Sequence, residues 1–300
     1  MDDQPAPLPL TRRDALIHGG LFAACCVTTG LYGGPYFAAT LMGILLCHEL
    51  GHYLVGRRRG VDVSLPYFIP LPPYISLGTL GAVIKMRTTI RDRNVLFDVG
   101  ASGPVAGLVV AIPLLVIGLL LSDVGPPTPD GFIEGPSVLY VLIKLVIFGR
   151  WLPGDHVDVQ LHPMALAGWV GLLVTMINLM PIGQLDGGHI ARAALGQRHE
   201  TLSGRLHIAL VAVGLTVGGV MLVTALSAGK ELGDALSYAK YGAIPWCMWA
   251  GMLAYMRRQA GEYHPAVSAE PLDPARRRRA IVMLVIFCLI ATPVPFRPVL

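Results

Sequence analysis

His48-Glu49-Leu50-Gly51-His52 sits inside an apolar run. On a helix, positions i and i+4 share a face, so the two imidazoles can hold one metal ion between them. Glu49 projects close by and can act as general base toward water, the pattern of zinc hydrolases. Between Pro35 and Gly56, Glu49 is the only acid, and no Lys or Arg occurs before Arg57. A carboxylate in such a setting is costly unless it has a task or a partner. The competing reading, a pair of satisfied core histidines, leaves Glu49 buried without compensation.

A catalytic zinc takes three protein ligands and keeps a fourth position open. Asp186, in Gln184-Leu-Asp-Gly-Gly-His189, is the natural third ligand. Alone it reads equally well as a turn residue. Facing a His-Glu-x-x-His helix, it reads as a ligand, since Glu49 and Asp186 are the two carboxylates expected at membrane depth near one face.

These residues must be positioned by a chain that is 54% hydrophobic and 14% charged, with a mean hydropathy of +0.61. A soluble domain carries about 25% charged residues. The composition therefore points to an all-α polytopic membrane protein. The net charge of +4 comes from bases clustered beside apolar runs, which is an orientation signal rather than a nucleic-acid surface. Cys25, Cys26, Cys47, Cys247 and Cys288 lie in apolar segments without C-x-x-C spacing. Buried free thiols are expected, not disulfides or cysteine-ligated zinc.

In chain order, residues 1–13 are polar and Pro-rich, and disorder is expected there. Spanning helices are expected over 15–32, 36–56, 99–121, 163–180, 205–228, 238–256 and 280–294. Gly33-Gly34-Pro35 separates the first two, and the second carries the His-Glu-x-x-His motif. Val61-Asp-Val-Ser-Leu65 alternates, four prolines follow, and Ser76-Leu-Gly-Thr-Leu-Gly-Ala-Val-Ile-Lys-Met86 reads as short strands with a turn. Such a segment can dip into the membrane only under cover of protein. Gly100-Ala-Ser-Gly-Pro-Val-Ala-Gly107 is dense enough in small residues to let another helix approach. Residues 138–148 are apolar but too short to span, so an interfacial or re-entrant helix is expected. A short amphipathic helix follows Asp186. With the N-terminus in the cytoplasm, 18 of the 23 Lys and Arg face inward, which places the His-Glu-x-x-His toward the cytoplasmic side.

Three features, in order, resemble the site-2 protease family of intramembrane zinc metalloproteases. They are His48-Glu49-Leu-Gly-His52, Gly103-Pro-Val-Ala-Gly107, and Asn178-x-x-Pro181 running into Leu185-Asp186-Gly187. The resemblance implies one Zn2+ per chain on His48, His52 and Asp186, with Glu49 as base. It implies that Asn178 holds the substrate backbone or the oxyanion. It also implies a three-helix catalytic core with a membrane-dipping β-hairpin, which Gly78-x-x-Gly81 and its flanking strands look like. Transmembrane proteins, single-span or other, are the implied substrates, cut in regulated intramembrane proteolysis. The family often has Asn-Pro-Asp-Gly at the aspartate; here Leu-Asp-Gly stands, a form also usual. No loop is long enough for a PDZ insertion, so a minimal member is expected. The chain divides into a tail and first helix (1–34), a catalytic membrane core (35–197) and C-terminal transmembrane helices (198–300). The plasma membrane of a prokaryote fits the short chain with cytoplasmic bases.

Other patterns carry less. His156-x-Asp158-x-x-x-His162 reads as solvated or interfacial residues of an outer loop. His189 either orients Asp186 or makes a helix-start contact. His18, His199, His207 and His264 have no partner pattern. The arginines at 57–59 and 276–279 set topology and touch anionic lipid. The 76–86 stretch offers a strand edge for β-addition to an unwound substrate, or only plugs the cavity. The alternative in another class is a non-proteolytic membrane metal transporter or ion-handling protein using His48, His52 and Asp186. Glu49 argues against it, because a transport site needs no base beside its ligands.

Overall fold

The computed structural model describes residues 11–74, 76–126, 131–154 and 157–299. The expected disorder over 1–13 lies outside these for the first ten residues and does not hold for Thr11, Arg12 and Arg13, which form the cap and first turn of a helix. α1 (Arg12–Arg58) opens on a capping box between Thr11 and Asp14 and is interrupted at Gly34, where φ is 80° and ψ 179°. Only glycine takes that conformation readily, and Pro35 begins the second half with a φ already suited to a helix. The two halves are the first two expected helices.

β1 (Tyr67–Pro70) and β2 (Thr79–Val83) pair antiparallel, with Tyr67 opposite Val83 and a register shift before Pro70. The hairpin lies on the first half of α1. Phe22 meets Phe68 edge-on at 5.0 Å, and Thr28 Oγ1 donates to the Gly78 carbonyl at 2.6 Å. The alternating stretch from Val61 contributes only an isolated bridge between Val63 and Met86.

α2 (Arg93–Leu120) begins six residues earlier than the apolar run, because Asp92 accepts from the amides of Asn94 and Val95 as N-cap. The second half of α1, α2 and α4 (Pro163–Asn178) form a three-helix core. Small residues set its spacing: a Cβ on Gly51 would meet the Ser102 carbonyl at 2.6 Å, and one on Gly168 would meet the Leu115 backbone at 2.8 Å. Leu115, Ala111 and Trp169 are buried at this junction. A turn after α4 leads into α5 (Asp186–Leu195), and α6 (Arg198–Ser227) and α7 (Leu232–Ala260) follow as a helical hairpin. α8 (Pro274–Ile290) returns to the core, where Arg276 grips Asp98 of α2 through Nε at 2.8 Å and Nη2 at 2.9 Å. α1, α2 and α6 have the length and hydropathy of membrane spans.

At the far end from Arg57, α3 (Val138–Phe148) packs beside two small antiparallel sheets. β3 (Asp123–Gly125) pairs with β5 (Asp158–Gln160), and β4 (Phe132–Glu134) with β6 (Phe296–Pro298). Lys144 is 1% exposed, between Glu134 Oε1 at 3.4 Å and Asp158 Oδ1 at 3.5 Å. The Tyr140 hydroxyl donates to Glu134 at 2.7 Å. Asp158 is therefore buried in an ion cluster, not solvated as its loop position suggested. Strand pairing draws it inward to Lys144. The cysteines need a correction too. All five are free, but only Cys25 is buried, while Cys247 and Cys288 lie on exposed faces of α7 and α8.

Candidate metal centre

One turn of α1 presents His48 and His52 on the face toward α2, both buried. Asp186 arrives from the start of α5. His48 Nε2 stands 3.1 Å from Asp186 Oδ2, and His52 Nε2 stands 3.2 Å from Asp186 Oδ1. The two Nε2 atoms are 3.2 Å apart. Ligands placed tetrahedrally around zinc at about 2.0–2.1 Å would stand about 3.3 Å from one another. The three atoms thus have the mutual spacing of a shared cation. Among the described residues, this is the group of His, Cys, Asp and Glu side chains that converges closely enough to hold a metal.

Backbone contacts fix the ligand orientation. His52 Nδ1 donates to the Val99 carbonyl at 2.8 Å. In the neutral ring this leaves the Nε2 lone pair for a metal. Two imidazole lone pairs aimed at each other across 3.2 Å repel unless a cation or proton lies between them. α2 comes close because Gly103 and Gly107 face the rings. A Cβ on Gly107 would stand 3.2 Å from His48 Nδ1, and one on Gly103 would overlap His52.

Glu49 is buried beside the ligands, within electrostatic reach of His48, His52 and Asp186. Among the described residues no donor hydrogen-bonds its carboxylate, so its oxygens are free to accept a proton. Asn178, the last residue of α4, brings its amide nitrogen to 3.5 Å from His48 Nε2. The structure thus brings together all five side chains singled out in the sequence.

His189 does not touch Asp186 by any hydrogen bond. Its Nδ1 lies 2.7 Å from His264 Nε2 instead. His264 and the Val99 carbonyl are the participants sequence reasoning missed. The first had no partner spacing, and the second is a backbone atom that no residue type announces. His162 serves as N-cap of α4, its Nδ1 accepting from the Met164 amide at 3.2 Å. His156 lies outside the described residues.

The model described as "Peptidase family M50" matches residues 36–221. "Probable zinc metalloprotease EGY1, chloroplastic" of Arabidopsis thaliana is 36% identical over 162 residues, covering 52% of this chain and 29% of that protein. The protein of the same description in Oryza sativa subsp. japonica is 30% identical over 260 residues, covering 85% of this chain and 39% of its own length. "Probable zinc metalloprotease EGY2, chloroplastic" of Oryza sativa subsp. indica is 31% identical over 188 residues, covering 61% and 33%. The chain thus spans well under half of the relatives it matches. The family match covers more than half of the chain and takes in both histidines, the asparagine and the aspartate, so this chain belongs to peptidase family M50, the site-2 protease family of zinc metalloproteases.

Proposed function

We propose that this chain is an intramembrane zinc endopeptidase that hydrolyses peptide bonds within transmembrane segments of other proteins. The observation that carries the reading is the convergence of His48, His52 and Asp186 with Glu49 alongside, all within an apolar helical core. His48, His52 and Asp186 hold one Zn2+ per chain. Bound there, zinc supplies a Lewis acid and lowers the pKa of water toward neutrality. Glu49 takes the proton from the attacking water and delivers it to the leaving amine. The Asn178 amide donates toward the carbonyl oxygen as negative charge develops, a contact that is stronger in the transition state than before it. Burial of the site excludes competing solvent and strengthens each of these interactions.

The substrate must unwind before its backbone is accessible. Beyond β1, β2 has no partner strand among the described residues, and Leu80 and Val83 on it are exposed. That edge suits β-addition by an extended substrate segment, with the hairpin dipping into the membrane. A photo-reactive residue at position 80 should then cross-link substrate; a failure to capture it would leave the hairpin as a plug. The seven crossings rest on the apolar runs; with the N-terminus in the cytoplasm, the 18 inward bases support a site toward the cytoplasmic side, and a prokaryotic plasma membrane fits that arrangement.

The decisive experiment co-expresses the chain with a panel of single-span proteins and identifies fragments by mass spectrometry. Glu49→Gln should keep its zinc and lose the fragments. Fragments at wild-type level in Glu49→Gln would sink the reading. Zinc that crosses vesicle membranes without any cleavage would favour metal handling instead.

A further inference from the structure

The end of the molecule that carries Arg57 has a second concave feature, separate from the metal centre. Three helices each present a stripe with charge at one end and apolar residues toward the other. On α8, Arg276, Arg279, Met283 and Ile286 recur at helical spacing. On α1 the stripe is Val55, Arg58 and Arg59, and on α2 it runs from Asp98 through Ala101 to Val105. Together they enclose a groove of about 680 Å³. Val105 and Val282, on opposite walls, are 45% and 55% exposed. The groove therefore opens sideways, toward the space lipid occupies around spanning helices.

Its charge is unbalanced. Asp98 is the acid in the lining, and two guanidiniums already hold it, those of Arg59 and Arg276. Arg58 and Arg279 also line the groove, are exposed, and make no hydrogen bond or salt bridge among the described residues; Arg279 is within electrostatic reach of Asp273, whose carboxylate is held by the amides of Ala275 and Arg276. Two exposed guanidiniums that make no hydrogen bond, above apolar walls, match one kind of occupant. A soluble anion would satisfy the arginines but face hydrocarbon-like surface. A zwitterionic lipid would bring its own cation to a lining that holds three guanidiniums and one carboxylate. A lipid with a net negative headgroup gives each arginine a bidentate phosphate acceptor and its acyl chain the apolar walls.

We propose that this groove is a specific site for one anionic phospholipid, with its phosphate between Arg58 and Arg279 and an acyl chain along Val55, Ala101, Val105, Val282 and Ile286. The lipid bridges α8 to α1 and α2, adding to the Arg276–Asp98 contact that joins α8 to the catalytic core. The site is independent of the proposed proteolytic chemistry, so its test does not use cleavage.

Native mass spectrometry of the full chain, purified into micelles containing either phosphatidylglycerol or phosphatidylcholine, reads the occupancy. One phosphatidylglycerol per chain should be retained, at least tenfold more than phosphatidylcholine. Arg58→Gln with Arg279→Gln should abolish that preference; both side chains are exposed and make no hydrogen bond or salt bridge, so folding is untouched. Val105→Trp, which fills the groove from its apolar side, should lower phosphatidylglycerol retention with all the bases in place. Equal retention of the two lipids overturns the proposal, as does unchanged retention in both variants. A photo-reactive residue at 105 that captures a polypeptide rather than phosphatidylglycerol in native membranes overturns it in favour of a protein partner.

Discussion

The backbone of Gly103 lies against the imidazole of His52, so close that a methyl group at 103 would occupy the space of the ring edge bearing Nε2. That nitrogen is the one facing Asp186. Gly103→Ala must therefore push α2 away from α1 or rotate the ring and strain its bond to Val99. Either outcome loosens the ligand orientation, and zinc affinity should fall about 10- to 100-fold, the usual consequence of disturbing what supports a metal ligand. Chelator competition measures it. Gly43→Ala on the same helix as His52 is the control, since a Cβ there meets nothing within 4 Å. Wild-type affinity in Gly103→Ala would show that the ring is not held by this contact.

Asn178 presents a different case, because its amide reaches the ligand cluster without being a ligand itself. If it acts on charge that develops during reaction, Asn178→Ala keeps its zinc and loses turnover by about 100- to 1,000-fold, the loss seen when one oxyanion donor is removed. The drop should appear in kcat rather than in KM. A parallel fall in zinc retention would mean that the amide instead steadies His48.

At the opposite end, Lys144 balances two buried carboxylates. Lys144→Met removes the charge while keeping much of the volume, and leaves Glu134 and Asp158 facing each other. Breaking a buried ion cluster in this way costs about 3–5 kcal/mol, read as a lower thermal midpoint. Adding Glu134→Gln to that variant should recover part of the loss. Its failure to do so would mean that packing, not charge, is what Lys144 contributes.

The convergence of His48, His52 and Asp186 was legible because a metal site demands particular residue types, and the spacing of the two histidines on α1 is a helical one. The core helices were legible as apolar runs, and the small residues of α2 as a close-approach surface. What escaped has a common physical origin. β4 and β6 are three residues each and pair across most of the chain, so no local alternation marks them. The α2 start at Asp92 is a capping contact lying within polar sequence. Lys144 and Asp158 each look solvated alone, and only their pairing allows burial. His189 and His264 meet through tertiary packing, with nothing in the intervening sequence to link them.

That last pair carries a pH dependence. His264 Nδ1 donates to the Pro265 carbonyl at 2.9 Å. Its Nε2 must then accept, so His189 Nδ1 is the donor across their 2.7 Å contact. The arrangement works only with His264 neutral, since a second N–H would point at the first. Burial pushes His264 below the ordinary imidazole value of 6.5; the Pro265 carbonyl opposes that shift, Arg192 reinforces it and Glu200 opposes it. The groups around it are His189 and Arg192 of α5 and His199 and Glu200 of α6. As pH falls through 6.5, the unfolded chain takes up a proton that folded His264 does not, so stability is complete above that value and declines below it. His264→Leu should lower stability by about 1–3 kcal/mol near pH 7.5, because the buried His189 N–H loses its acceptor. The difference between wild type and variant should shrink as pH is lowered to 5.5, a comparison in which acid effects on the metal ligands cancel. Thermal midpoints of both proteins across this range measure it, and a difference that stays constant with pH would show that His264 is not the titrating group.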